Sequence, residues 1–244
     1  MSNSIHTIPY LNLAIACIPA AFVIGILIKW SHDYRDKLYA LSRMLIQLLL
    51  IGYVLTYIFE SDNPWFVLLV LILMLGVSSW ISLRSLKIPR KTLLAQTTLS
   101  ISIGGGITLA LITQGVLEIT PWYSPSTLIP LAGMIFASSM NALSLAGERF
   151  ESEIERGADY YQARNIALKA SLIPITNSLF AVGLVLIPGV MTGQILSGVS
   201  PLIAARYQIM VMFMTFGASG LSSALFLIMV KSNTQLFLKN KQSG

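Results

Sequence analysis

The chain alternates between apolar runs of about 20 residues and short polar turns, the length and composition that cross a bilayer as helices. The runs fall at residues 10–28, 38–59, 64–83, 92–119, 128–146, 172–191 and 202–230 and predict seven membrane spans. Backbone groups in hydrocarbon must bond within their own segment, so helices are the form these runs take. Pro19 is expected to bend the first span without ending it. Gly104, Gly105 and Gly106, midway along the fourth, either admit a closely packed neighbour or permit a local break, and close packing is the commoner use. Residues 120–127, TPWYSPST, read as a Pro-rich turn with aromatics at interface depth.

One polar segment is much larger than the other turns. Residues 147–171, GERFESEIERGADYYQARNIALKAS, lie between the fifth and sixth runs. Charges recur there on a helical period, Gly157 interrupts them, and a second amphipathic piece follows. A helix–Gly–helix of this kind must stay in water and is large enough to be gripped by another protein. The alternative is a solvated loop whose aromatics rest on lipid headgroups.

Composition agrees with the pattern. Of 244 residues, 55% are hydrophobic and 11% charged, and the mean hydropathy is +0.75. Soluble domains carry roughly 25% charged residues, so the chain is an all-α integral membrane protein. The net charge of +6 is no nucleic-acid signal, because the basic residues sit in short inter-span turns. Lys29/Arg35/Lys37, Arg84/Lys87/Arg90/Lys91, Arg149/Arg156/Arg164/Lys169 and Lys231/Lys239/Lys241 all fall on one side of a seven-span chain. The other side holds the N-terminus, Glu60/Asp62, Glu118 and a chargeless turn. The positive-inside rule then puts the N-terminus out, the C-terminus in and segment 147–171 in the cytoplasm. Residues 1–9 form a short arm with His6 and no basic n-region, so no signal peptide is expected. Cys17, alone in an apolar run, implies no disulfide framework.

Candidate chemistry within the spans is sparse. No Asp or Glu lies at the centre of a predicted span, which argues against ion-coupled transport and intramembrane catalysis. The chain has no HExxH, no GxSxG and no GxxxxGK[ST] phosphate loop. Leu196-Ser197-Gly198 matches part of an ATPase signature by coincidence, in an outward turn without a nucleotide fold. His32 beside Asp33 reads as a solvated juxtamembrane turn before a ligand pair. Arg43 and Gln47, four apart, share a face of the second span; Arg43 is close enough to its end to snorkel, and facing a lumen is its alternative. Energy for transport must come from another protein, or the chain is passive.

Three stretches carry a resemblance: LIPLAGMIFASSMNALSLAGERF (128–150), LIPITNSLFAVGLVLIPGVMTGQILSGVSP (172–201) and AARYQIMVMF (204–213). They resemble the FetB/YbbM-like permeases, membrane subunits of ABC transporters linked to iron export, to which plant proteins associated with aluminium tolerance are similar. The match is dense over the C-terminal half; the N-terminal half agrees in span number and placement. The resemblance implies a permease of the cell (inner or plasma) membrane that pairs with a cytosolic ATP-binding subunit. It would have no ATPase site of its own, with ATP and Mg²⁺ held by the partner and no cofactor in this chain. Two permease chains and two ATPases would make the assembly.

On that reading Glu148, Arg149, Phe150, Ile154, Gly157, Tyr160 and Tyr161 form the ATPase-coupling loop. Gly157 supplies the turn, and Phe150, Ile154, Tyr160 and Tyr161 serve as interface anchors. Candidate lining groups for the substrate path are Ser138, Ser139, Met140, Asn141, Asn177, Met191, Thr192 and Gln194. Such polar groups equally serve as interhelical glue. Pro188-Gly189 is expected to open the sixth span and turn backbone carbonyls to the path. Iron prefers carboxylate or imidazole ligands, which the spans do not offer, so the metal ligands stay unassigned. A passive channel, or a scaffold anchoring a cytosolic partner through 147–171, is the alternative.

Overall fold

The computed structural model describes residues 9–30, 34–60, 63–234 and 237. His6, His32, Asp33, Asp62, Lys239 and Lys241 lie outside the described residues. Every named element among the described residues is helical, with one isolated bridge between Val182 and Leu186. The described chain forms two compact units, residues 1–60 and 61–244.

The first unit contains α1 (Tyr10–Ala16), α2 (Ile18–Trp30) and α3 (Tyr34–Phe59). Cys17 interrupts the first span, its N–H meeting the carbonyls of Ala14 and Ile15. The helix resumes at Ile18, with Pro19 in its first turn, where a missing N–H costs nothing. The expected single helix is thus two, while Asn12–Trp30 together remains long and apolar enough to cross a membrane.

The second unit contains α4 (Pro64–Ser82), α5 (Arg90–Ala110), α6 (Pro125–Glu155), α7 (Tyr160–Ala181), α8 (Gly189–Leu196) and α9 (Pro201–Met229). Asn63 caps α4 by accepting from the Trp65 N–H at 3.0 Å, with Pro64 in the first turn. The far end of α5 continues as a π-helical segment, Leu111–Val116. Helix α6 is central, packed against α4, α5, α7 and α9. Its contact with α5 and α9 is made by small residues, since lipid offers helices no hydrophobic drive to associate and close approach must supply the attraction. Ser139 of α6 donates to the Ala218 carbonyl at 3.3 Å, and Ser222 of α9 donates to Ser139 at 3.1 Å. A Cβ on Gly105 would stand 3.0 Å from Ile135 and one on Gly104 would meet Ser222, so these two glycines serve close packing, whereas Gly106 faces open space.

Six helices among the described residues are long and apolar enough to cross a membrane. The run at 172–191, expected as a seventh span, is not one helix. Residues up to Ala181 are the second half of α7, a turn follows, and α8 starts at Gly189. Pro188, which lacks an N–H, precedes α8 and sets its start. The segment 147–171 is the expected helix–Gly–helix, and its halves are continuous with the flanking helices: residues up to Glu155 continue α6, and those from Tyr160 begin α7. At about 1.5 Å per residue the 31-residue α6 is about 46 Å long, well beyond a hydrocarbon core of about 30 Å. Its charged last turns, from Glu148 onward, therefore project past the apolar segment.

Candidate functional site

Three polar stretches converge at the charged end of the second unit: the 83–89 connection, the α6–α7 junction and the end of α9. The junction is short because its chemistry is complete. Gly157 adopts φ +96°, a left-handed conformation that glycine takes without Cβ strain. Its N–H meets the Ile154 carbonyl at 3.0 Å, and the Ala158 N–H meets that of Glu153 at 3.1 Å, a Schellman ending for α6. Asp159 then caps α7, its carboxylate accepting from the N–H groups of Tyr161 at 2.7 Å and Gln162 at 3.0 Å.

The basic connection folds onto the last turns of α6. The Lys87 N–H donates to Glu151 Oε2 at 3.1 Å, and Lys87 Nζ meets Glu155 Oε1 at 2.6 Å. Ser144 donates to the Ser82 carbonyl at 2.9 Å, and Leu86 packs where a side chain on Gly147 would stand. Arg149 pairs with Glu153 at 2.7 Å, and Arg156 reaches the same carboxylate at 3.3 Å. Glu151 is buried, and burial pushes its carboxyl above the usual range; Glu155 pushes the same way, against the hydrogen bonds from the connection's backbone. The hydrogen bond to Glu155 raises Lys87.

The predicted aromatic anchors divide between interior and surface. Phe150 and Ile154 are buried. Phe150 packs edge-on against Phe237 at 5.2 Å and Tyr160 at 6.0 Å between ring centroids. Tyr160 donates its hydroxyl to the Leu227 carbonyl at 3.0 Å, tying α7 to α9. Tyr161 is 56% exposed. Arg164 and Lys231 stand over its ring at 5.3 and 5.2 Å, and Lys231 also donates to its hydroxyl at 3.2 Å. Glu148, Arg156, Gly157, Gln162, Asn165, Ile166 and Lys169 are exposed. The available surface is therefore the 156–159 turn and the outer face of early α7, rather than the full list of anchors. Lys87 and Glu151 were missed as a pair. Glu151 and Glu155, four apart on one helix face, were the signal for a basic strap nearby.

The substrate-path candidates separate in space. Ser138 and Asn141 of α6 face a cavity of about 170 Å³ together with Ser171, Ser178 and Ser219. Ser139 is buried in the α5–α6–α9 contact and acts as interhelical glue. Met140 is half-buried, and Asn177 is exposed but does not line that cavity. Met191 lines a different, larger cavity. Thr192 donates back to the Pro188 carbonyl at 3.1 Å, and the buried Gln194 Oε1 has no hydrogen-bond partner. No group of three or more His, Cys, Asp or Glu able to hold a metal occurs among the described residues.

The profile of the uncharacterised protein family UPF0014 matches residues 10–235. The chain belongs to this family. A UPF0014 membrane protein of Synechocystis is 40% identical over 81% of this chain and 83% of its own. The protein of Escherichia coli named "Probable iron export permease protein FetB" is 35% identical over 90% of both chains. "Protein ALUMINUM SENSITIVE 3" of Arabidopsis thaliana is 32% identical over 84% of this chain and 82% of its own. No solved structure matches the chain. The UPF0014 match extends over both units and agrees with the resemblance drawn from residues 128–213. The chain is a UPF0014 membrane protein with several apolar helices able to span a bilayer.

Proposed function

We propose that this chain is the membrane subunit of an ABC transporter that exports a metal, with iron as first candidate, driven by a separate cytosolic ATPase. The observation that carries the reading is α6 itself, a continuous helix from Pro125 to Glu155 that ends in a capped, exposed turn. Force applied at residues 156–162 enters one rigid rod that passes the cavity lined by Ser138 and Asn141. The strap through Lys87 and the Tyr160–Leu227 bond attach the same end to the 83–89 connection and to α9, so the push is shared.

Several facts support the finer statements. The relative FetB is named a probable iron export permease. The sequence has no phosphate loop, which supports a reading with ATP and Mg²⁺ in the partner and no cofactor in this chain. Basic residues from the 83–89 connection, from α7 and from the end of α9 gather at one end, which the positive-inside rule makes cytoplasmic in the cell (inner or plasma) membrane. Hydroxyl and amide groups around the smaller cavity suit a hard cation that keeps part of its water shell. Two copies, each with an ATPase, would enclose the path at a two-fold axis.

The test is co-purification from host membranes, comparing the native chain with Tyr161→Ala/Ile166→Glu/Lys169→Glu. These residues are exposed, so the variant should fold. An ATPase captured by the native chain and lost from the variant supports both the permease and the contact. Equal capture moves the contact elsewhere. Intact native protein without any ATPase overturns the reading in favour of a passive channel or a scaffold.

A further inference from the structure

Helices α6 and α7 share an outer face at mid-membrane depth. Ser138 and Asn141, midway along the apolar run 128–146, line one groove with Pro174 and Ser178 of α7, so these parts of the two helices stand level. Ala137 and Asn141 of α6 and Ile173 and Asn177 of α7 are exposed beside that groove. Asn177 follows Pro174 by three residues and so keeps to the groove's side of α7.

Neither the Asn141 nor the Asn177 side chain has a hydrogen-bond partner among the described residues. Hydrocarbon offers neither donor nor acceptor, so an exposed, unpaired amide at this depth is costly against lipid. The groove does not relieve it with donors, because Ser138 and Ser178 donate their hydroxyls to the Ile135 and Pro174 carbonyls of their own helices. A carboxamide both donates and accepts, so a face bearing two of them matches a copy of itself across a two-fold axis. Ala137 and Ser138 are small, which admits the close backbone approach that membrane helix contacts require.

We propose that this α6–α7 face is the seam with a second copy of the chain, in which Asn141 and Asn177 hydrogen-bond to the same residues of the other copy. The groove lined by Ser138 and Asn141 is then closed between two chains, and it is incomplete in one. The inference rests on the transporter reading for its pair of copies alone and needs no ATPase. A dimer that captures no ATPase would sustain it and defeat that reading.

The test uses the purified full chain in lipid vesicles, with Cys17, its only cysteine, changed to serine. Ile173→Cys, one turn from Asn177, keeps both amides and should give a crosslinked dimer with a short bifunctional thiol reagent. Ile72→Cys, on an exposed apolar position of α4, should stay monomeric under the same treatment. Asn177→Leu should raise the dimer dissociation constant about three- to thirty-fold, read by energy transfer between labelled copies on dilution with lipid. No crosslink through Ile173→Cys, or equal yield from both positions, overturns the proposal. A water-soluble thiol reagent then tells what covers the face: labelling at 173 means an aqueous path, and protection means lipid or another helix. Dimerisation unchanged in Asn177→Leu also overturns it, since the amides then hold nothing together. The Ile173→Cys arm leaves Asn177 in place, so a misfolded Asn177→Leu does not blunt the test.

Discussion

Gly104 of α5 and Ser222 of α9 approach so closely that a Cβ on the glycine would lie 2.7 Å from both the backbone nitrogen and the hydroxyl oxygen of the serine. Backbone cannot yield as a flexible side chain would. Gly104→Ala should therefore destabilise by about 1–3 kcal/mol through overpacking. Gly106, with nothing within 4 Å of its Cβ position, is the control. Gly106→Ala should be neutral or stabilising by about 0.5–1 kcal/mol, since alanine orders a helix more cheaply. Thermal unfolding of both variants in detergent checks the contrast.

Phe150 and Tyr161 should part company when truncated. Phe150 is fully buried against Phe237 and Tyr160, so Phe150→Ala should cost about 3–5 kcal/mol. Tyr161→Ala, at the surface, should cost under about 1 kcal/mol. Chemical unfolding measures both, and it separates loss of fold from loss of a partner.

Tyr160→Phe removes one hydroxyl and keeps the ring beside Phe150. The Leu227 carbonyl loses its side-chain donor, and stability should fall by about 0.5–1.5 kcal/mol. Faster proteolysis between α6 and α7 than in the native chain would report the loosened junction. Unchanged stability and cleavage would show that the bond contributes nothing.

Glu151 predicts a pH dependence of defined sign. Its carboxyl lies above its ordinary value in the folded chain, so the folded state binds more protons than the unfolded state across that interval. Its contribution to stability therefore falls as pH rises from the ordinary glutamate range through the raised value. Glu151→Gln keeps an acceptor for the Lys87 N–H and removes the titration. Stability of the variant minus that of the native chain should grow with pH over that window and then level off. A difference independent of pH would refute the assignment.

Much of this architecture was written in the chain. Apolar runs long enough to cross a bilayer can only be helices there, so the cores of α3, α4, α5, α6 and α9 were legible from hydropathy. Gly157 announced the α6–α7 junction, because a left-handed turn is local chemistry. All four basic clusters were expected on one side, and Lys87, Arg164 and Lys231, from three of them, lie at one end of the second unit.

Tertiary structure decided what becomes of polar helix and of broken apolar sequence. Hydropathy measures transfer from water to lipid and cannot tell whether a charged helical stretch will be covered by its own chain. Thus α6 runs past its apolar segment, because the Lys87 strap bonds Glu151 Oε2 and Glu155 while Phe237, far along the chain, seals Phe150. Likewise 172–191 is apolar apart from Thr176, Asn177 and Ser178, yet it divides into the end of α7, a turn and the start of α8, since apolarity fixes the medium and not the backbone path. Gln208 makes the same point. In sequence it is one amide in an apolar helix, and only packing, which sets whether a donor stands within reach, left its oxygen buried without a partner.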